Sequence, residues 1–247
     1  MEHGYLVVEG PHDVEFVGRL LKMADLSRVK FRKDLDSYWH PILPTTWPIN
    51  DDLLKRVAVP VFFQGPTHSL AVSSAGGDSR IAEDIEEMLS RLKDPHAIGA
   101  LLDADEKHDP KTRFSSFVQS LGKRLPHLAM PVEPGCVSGT KPRAGIYVLP
   151  DNANQGALED LLVDCAEHFA PSLLGHARAF VSNAEPDFEE KKHSSRKKAL
   201  VGCISNVYKP AKSIQTSIQD NNWVSQDTVR LPRIAAFDSF LKNLFNL

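Results

Sequence analysis

Acidic residues follow two apolar segments of the sequence in a pattern that can hold a metal ion. Asp103 and Asp105 come at alternate positions directly after the apolar segment 98–102. Residues two apart on an extended chain point to the same side, so both carboxylates would converge just beyond a strand. A hard divalent cation relieves such repulsion, and Mg²⁺ in proteins takes one or two carboxylates with several waters. We therefore expect Mg²⁺ or Mn²⁺ beside these residues.

The N-terminal segment has a similar arrangement. Residues 5–8 are apolar and predict a buried strand that ends at Glu9 and a glycine turn. Pro11 then opens a helical pattern in which Asp13 lies four residues beyond Glu9. Two parallel strands side by side would bring both pairs of acids to one crevice at their carboxyl ends, where open α/β sheets bind ligands.

Apolar strands that alternate with amphipathic helices predict an α/β fold. Strand patterns lie at about 5–8, 57–63, 69–74, 98–102 and 146–149, and helical patterns at about 12–23, 79–92, 110–121 and 231–247. This order favours a mainly parallel sheet with helices on both faces. We expect one domain over residues 1–247, with a core of about 4–180 and a C-terminal helical extension of about 181–247. The apolar stripe of the last helix predicts docking either on this core or on a second copy of the chain in a homodimer.

The segment 28–48 contains aromatic and basic residues and leaves two interpretations open. Residues 29–32 predict an edge strand, and the segment 38–48, which contains several prolines, predicts a loop. Its aromatic rings, with Arg32 and Lys33, could clamp a nucleic-acid strand by stacking. We favour the alternative, in which the rings of this loop pack onto the domain.

The composition limits the classes of function. The 247 residues include 42% hydrophobic and 25% charged side chains, which is typical of a globular protein. The formal net charge of −3 excludes a polycation that coats nucleic acid unselectively, so such contact needs a local basic patch or bound metal. The three cysteines lack the spacing of a metal or disulfide site, and no apolar run approaches the roughly 20 residues of a membrane span. We expect a cytoplasmic protein with reduced thiols, no signal segment and no membrane association.

Taken in order, the acidic motifs resemble the TOPRIM fold of topoisomerases, primases and OLD-family nucleases. The basis is Glu9 and a glycine at the end of a first strand and the Asp-x-Asp pair at 103–105 after a later one. The spacing from Glu9 to Asp13 is most similar to that of OLD-type nucleases and small stand-alone TOPRIM proteins. The resemblance covers most of residues 4–200. It implies a TOPRIM-like sheet whose acids hold metal ions and in which Glu9 also acts as a general acid or base.

A third motif follows the strand predicted at 146–149. This strand ends at a Pro-Asp-Asn turn that contains Asp151, and a helix begins near Gly156 with Glu159 in its first turns. The stretch resembles the Leu-Pro-Asp-Asn…Gly…Leu-Glu-Asp-Leu signature of a stand-alone TOPRIM-like family. In OLD-type nucleases, a downstream glutamate of this kind helps to bind a second metal. We therefore expect Glu159 and Asp151 among the metal ligands.

A basic run near residue 190 has two interpretations. Five basic residues lie within 191–198, a pattern that usually marks a solvated helix face. The alternative is that Lys191, Lys192 and Arg196 contact nucleic acid. In OLD-type nucleases a lysine beyond the downstream glutamate stabilises phosphate charge in the transition state. The resemblance implies Lys197 or Lys198 in this catalytic role.

The combined motifs predict a divalent-metal-dependent nuclease that hydrolyses phosphodiester bonds of DNA or RNA. Two metal ions about 4 Å apart would clamp the attacking and leaving oxygens of an in-line displacement. OLD nucleases usually carry an ATPase domain and this chain lacks a Walker motif, so the resemblance implies either an enzyme that acts alone or a separate ATPase partner in a defence or repair system. The alternatives are a non-catalytic TOPRIM module that binds nucleic acid or a partner, and a primase-like phosphotransferase.

Overall fold

Six strands form one mostly parallel sheet in the computed structural model, which describes residues 1–46, 59–104, 108–184, 193–219 and 223–247. The strands are β1 (Glu2–Val8), β2 (Ser27–Arg28), β3 (Val61–Gln64), β4 (His68–Ser74), β5 (Ala97–Asp103) and β6 (Arg143–Leu149). Their order in the sheet is β2-β3-β4-β1-β5-β6. Four neighbouring strands, β4, β1, β5 and β6, run parallel to one another, and β2 and β3 form an antiparallel edge. The predicted α/β class and mainly parallel sheet are confirmed.

Helices cover both faces of this sheet, as predicted. They are α1 (Pro11–Met23), α2 (Ile81–Arg91), α3 (Pro110–Arg124), α4 (Leu158–Phe169), α5 (Pro171–Ala184), α6 (His193–Tyr208), α7 (Ile214–Ile218) and α8 (Pro232–Phe245). One face packs against α1, α4, α6 and α8, and the opposite face packs against α2 and α3. Within the described ranges, none of the helices is long and apolar enough to cross a membrane.

The alternation of side chains along the central strands explains why both faces need helices. In β1, Leu6 and Val8 belong to the core on the α1 side, whereas Tyr5 and Val7 belong to the core on the α2 side. Strands that are apolar on both sides are typical of parallel sheets covered on both faces. The carboxyl ends of these parallel strands lie at one edge of the sheet, where acidic residues follow β1 and β5.

The last helix packs on the sheet at three glycines. A Cβ atom added at Gly4 would lie 2.4 Å from Phe245, and one at Gly99 would lie 2.7 Å from Leu244. A Cβ atom at Gly145 would also approach Leu244, to 3.0 Å. The terminal helix therefore docks on the core of its own chain, which was the first of the two predicted positions. The C-terminal extension contributes to the same hydrophobic core as the sheet.

The segment that follows β2 differs from its predicted structure. The predicted edge strand at 29–32 is wrong, because the strand covers only Ser27–Arg28 and a 3-10 turn occupies Arg32–Asp34. The favoured packing of the aromatic rings is confirmed for Trp39, which is fully buried and donates from Nε1 to Ser69 Oγ at 2.8 Å. The remainder of that loop, from residue 47, lies outside the described residues.

Candidate active site

The chain changes direction across the sheet between β1 and β5. From β1 it continues through α1 towards β4, whereas from β5 it continues through α3, on the opposite face, to β6. The crevice outside the carboxyl ends of two such strands is the usual ligand site of an open α/β sheet. Glu9 directly follows β1, and Asp103 is the last residue of β5. Both of these predicted ligands therefore lie at the crevice.

Asp13 is a buried carboxyl group in the first turn of α1. Its Oδ2 accepts a hydrogen bond at 2.8 Å from the backbone N–H of Gly10, so the side chain turns back towards the end of β1. Burial is the largest cause that raises the pKa of Asp13 to about 7, and the Gly10 hydrogen bond opposes it. The negative charges of Glu9 and Glu159 raise this pKa further, whereas Lys198 lowers it. The first turn of α1 thus holds a buried carboxyl group on which two acidic charges and one basic charge act.

Side chains from α4 and α6 also influence the pKa of the Asp13 carboxyl group. Glu159, in the first turn of α4, is only 7% exposed. Burial lowers the pKa of His12, and the charge of Glu159 raises it while that of Lys198 lowers it. Three helices thus bring residues from distant parts of the sequence to the end of β1. His12 is the member that sequence analysis did not select, because a single histidine in a turn is most often merely solvated.

Lys197 lies close to the start of α4 but has a structural partner. Its Nζ lies 2.7 Å from Asp160 Oδ1, and Asp160 Oδ2 accepts the N-cap N–H of α4 at 3.0 Å. Asp160 therefore caps α4 in the way that Asp13 caps α1. The counterpart of Asp13 in α4 is therefore Asp160 and not Glu159. Of the two lysines left open by the sequence, Lys198 is the one whose charge acts on the acidic group.

Asp103 is held at the crevice by α3. It pairs in register with Leu149 of β6 and lies on the sheet face that α1 and α4 cover. Arg113 Nε donates to the backbone carbonyl of Asp103 at 3.2 Å, and its guanidinium forms an ion pair with Asp78. Arg113 thus ties the end of β5 to the turn after β4. Asp105 lies outside the described residues, so its convergence with Asp103 stays a prediction.

Asp151 has a clear role in the loop that precedes α4. Its Oδ1 accepts the N–H groups of Ala153 at 3.1 Å and Asn154 at 2.7 Å, and its Oδ2 lies 3.1 Å from Arg233 Nε. Burial acts to raise the pKa of Asp151, but the hydrogen bonds from Asn154 and Ala153 and the charge of Arg233 lower it overall. Because both oxygens are engaged in shaping this loop, we leave Asp151 out of the site.

Only part of the basic run is described. Arg196 donates to Ser182 Oγ at 3.3 Å and so links α6 to α5. Lys191 and Lys192 lie outside the described residues. Contact between this run and nucleic acid stays a prediction.

The donor set fits a hard cation through its chemistry, without a complete protein cage. In the part of the chain that the structure describes, no three His, Cys, Asp or Glu side chains form a group that could hold a metal ion. Mg²⁺ does not require such a cage, since it typically binds one or two carboxylates and keeps several waters. A cation beside Asp13 would offset the acidic charges that raise its pKa. One or two carboxylates from Glu9, Asp13, Asp103 and Glu159, together with waters, would hold it.

Comparisons with known proteins identify a family. The model of a family described as "Protein of unknown function (DUF3226)" matches residues 3–246. The chain belongs to this family. The crystal structure of hypothetical protein PH0156 from Pyrococcus horikoshii OT3 is similar to this DUF3226 protein, with a TM-score of 0.57 and 16% sequence identity over 99% of this chain and 95% of that chain. At this identity the likeness shows the fold alone, and none of the curated proteins matches the chain.

Proposed function

We propose that this DUF3226 protein is a divalent-metal-dependent nuclease that hydrolyses phosphodiester bonds of DNA or RNA in a TOPRIM-like site. One observation carries the proposal, namely the buried carboxyl group of Asp13 beside the strand end, with its pKa raised to about 7. A folded protein keeps such an unfavourable group of acids mainly where they have a chemical task. The position of this group at the switch point between β1 and β5 supports the same interpretation.

Each residue of the site has a distinct role in this proposal. One or two carboxylates among Glu9, Asp13, Asp103 and Glu159 would hold Mg²⁺ or Mn²⁺ together with waters, and a metal bound there would lower the pKa of a bound water and screen charge on the phosphate. Glu9 also acts as the general acid or base. Lys198 places a positive charge near the acids, where it stabilises the charge that develops on a phosphate oxygen.

His12 adds a neutral proton acceptor to this site. Because burial lowers its pKa from an ordinary value of 6.5, the imidazole is mainly uncharged at neutral pH. An uncharged imidazole within reach of the attacking water can take its proton, and the resulting imidazolium can then give that proton to the leaving oxygen. This role is secondary to that of Glu9, which follows the strand end directly.

A non-catalytic module that binds nucleic acid or a separate ATPase is the second candidate. It is favoured by the fact that the described acids do not by themselves complete a three-ligand metal group. Incubating the purified chain with single- and double-stranded DNA and RNA in Mg²⁺, Mn²⁺ or EDTA distinguishes the two. The nuclease proposal expects cleavage that depends on the metal. Binding without cleavage in every metal would favour the module.

The proposal includes a cytoplasmic location. Cys136, Cys165 and Cys203 are free thiols, and burial raises the pKa of Cys165 to about 12. Free thiols are the ordinary state of cysteine in the reducing cytosol. Fractionation of cells that express the tagged protein would test this location, and a sedimentation measurement would test the homodimer that the sequence leaves open.

A further inference from the structure

A groove with a basic rim lies at the antiparallel edge of the sheet, beyond β3. Its volume is about 320 Å³. The exposed residues of its lining include Arg28, Lys30, Phe31 and Arg32, and the buried ones include Leu35 and Phe62. We call this feature the basic edge groove. It is separate from the acidic group at the end of β1.

An exposed aromatic ring flanked by cations is the main feature of the groove. Phe31 leaves 53% of its surface exposed, which is unusual for a large apolar side chain. The Nζ atoms of Lys30 and Lys33 lie 5.2 Å and 5.8 Å from the centre of its ring. Both cations lie over the half-exposed ring, so a stacking base would take the place of one of them and leave its charge free for an adjoining phosphate.

The positive charge of this segment is only partly compensated. Residues 28–33 contain four cations and no acid, although the chain as a whole has a net charge of −3. Arg28 pairs with Glu15 at 2.9 Å, whereas Lys30, Arg32 and Lys33 form no ion pair with other residues in the described ranges. Such a local concentration of positive charge on an acidic protein complements a polyanion.

The groove lies on the face of the sheet that α2 covers, because Leu35 and Phe62 of its lining pack in the core on that side. Arg28 pairs with Phe63, and the N–H of Val29 donates to the Phe62 carbonyl at 2.8 Å. A 3-10 turn at Arg32–Asp34 then reverses the chain, and the N–H of Asp36 donates to Gln64 Oε1 at 3.3 Å. The segment that carries the basic side chains is thus held on the sheet at both ends.

We propose that the basic edge groove binds single-stranded nucleic acid, with a base stacked on Phe31 and phosphates on the neighbouring basic side chains. An unpaired base is required because the ring can stack only on a base face that is not already covered in a duplex. The inference rests on the proposed function for the identity of the ligand. It does not need the metal site, so the groove can be tested without cleavage.

The test measures the binding of short labelled single-stranded DNA and RNA by fluorescence anisotropy in EDTA, over a range of salt concentrations. Replacing Lys30, Arg32 and Lys33 together with Ser should weaken binding at least tenfold at low salt. It should also reduce the slope of log affinity against log salt by about 2, at roughly 0.7 for each lost phosphate contact. Phe31→Ala should weaken binding by roughly 5-fold or more and leave the salt slope unchanged, because it removes stacking and no charge.

A matched control removes the same charge elsewhere. Lys93, Lys123 and Lys141 are exposed and lie outside the lining of the groove, after α2, at the end of α3 and before β6. Replacing these three with Ser should leave both the affinity and the salt slope near those of the wild type. Equal losses in this control and in the groove variant would overturn the inference, as would a wild type that binds no single strand or prefers duplex.

The outcomes also separate this inference from the proposed nuclease. A wild type that binds single strands through the groove and cleaves nothing with any metal would contradict the nuclease and support the groove. A wild type that cleaves with metal while both groove variants bind and cleave normally would overturn the groove alone. All substituted side chains are exposed, so unchanged melting temperatures are expected and would show that the variants fold.

Discussion

Asp13 Oδ2 accepts the Gly10 N–H at 2.8 Å, which fixes a buried carboxyl group at the end of β1. The start of α4 uses the same cap, with Asp160 in the equivalent position, yet there the carboxylate is paired with Lys197 at 2.7 Å. Asp13 instead has Glu9 and Glu159 among its charged neighbours. The two helix N-termini therefore share one capping arrangement but differ in the charges around the capping carboxylate. This difference favours a chemical role for Asp13 over one for Asp160.

The raised pKa of Asp13 predicts how stability depends on pH without metal. A carboxyl group with an unfolded pKa of 3.8 and a folded pKa of about 7 binds more protons in the folded protein over this interval. The free energy of unfolding should therefore fall as the pH rises through this interval. Asp13→Asn keeps an acceptor for the Gly10 N–H and should flatten the dependence. Denaturant titrations at a series of pH values measure it, and equal slopes for both proteins would contradict the assignment.

Metal binding should offset the loss of stability that ionisation of Asp13 causes. At a Mg²⁺ concentration about 100 times the dissociation constant, the free energy of unfolding should rise by about 2.7 kcal/mol. Near pH 6 binding should also release protons, because the cation favours the ionised form of Asp13. Calorimetry in buffers with different ionisation enthalpies measures the protons released.

Two aspartate variants provide the matched comparison for metal binding. Asp13→Asn should lose most of the affinity, whereas Asp160→Asn should keep it, because Asp160 caps α4 and pairs with Lys197. Replacement of both Asp103 and Asp105 with Ala should abolish binding and leave the protein folded. No heat and no shift in melting temperature at millimolar metal would remove the basis for the metal site.

Lys197 and Lys198 should behave differently on substitution. Lys198→Ala should reduce turnover by roughly 10²- to 10³-fold at nearly unchanged stability, since it removes a charge that acts on the site. Lys197→Ala should lower the free energy of unfolding by less than about 1 kcal/mol, because its ion pair is partly exposed, and should leave turnover almost intact. Single-turnover cleavage and thermal unfolding of both variants would check this, and the reverse pattern would assign the catalytic role to Lys197.

The contact between α8 and the sheet gives a prediction about stability alone. Gly99→Ala would place a Cβ atom 2.7 Å from both Leu244 and Leu6, so it should destabilise the protein by about 1–3 kcal/mol. Gly122→Ala, on α3, meets no atom within 4 Å and should stabilise slightly, by about 0.5–1 kcal/mol. Chemical denaturation distinguishes the two. A neutral Gly99 variant would mean that α8 does not pack closely on the sheet.

The strand ends were predictable from the sequence because short continuous apolar segments mark their own limits. Glu9 and Asp103 both lie where such a segment ends, and the parallel order of the strands brings those ends to one edge. The role of Asp160 was not predictable in the same way. The turn between β1 and α1 is short, whereas eight residues separate β6 from α4, so the position of the second helix cap could not be counted from the strand.

Residues fixed by contacts distant in sequence were harder to predict. The basic run does not reveal which side of α6 meets the acids, so the choice between Lys197 and Lys198 needed the position of α4. The segment near Phe31 resembled a strand because its basic and apolar residues alternate. Its structure depends instead on the burial of Trp39 against Ser69, a contact between residues 30 positions apart.

Cleavage of labelled DNA and RNA by the wild type and by Glu9→Gln in Mg²⁺ or Mn²⁺ tests the central claim most directly. The account predicts cleavage that EDTA abolishes and a rate at least about 100-fold lower in Glu9→Gln, at a nearly unchanged melting temperature. Asp105→Asn should behave in the same way, and Glu87→Gln, an exposed change on α2, should cleave like the wild type. Wild-type rates in both Glu9→Gln and Asp105→Asn, or no cleavage by the wild type with any metal, would contradict the account.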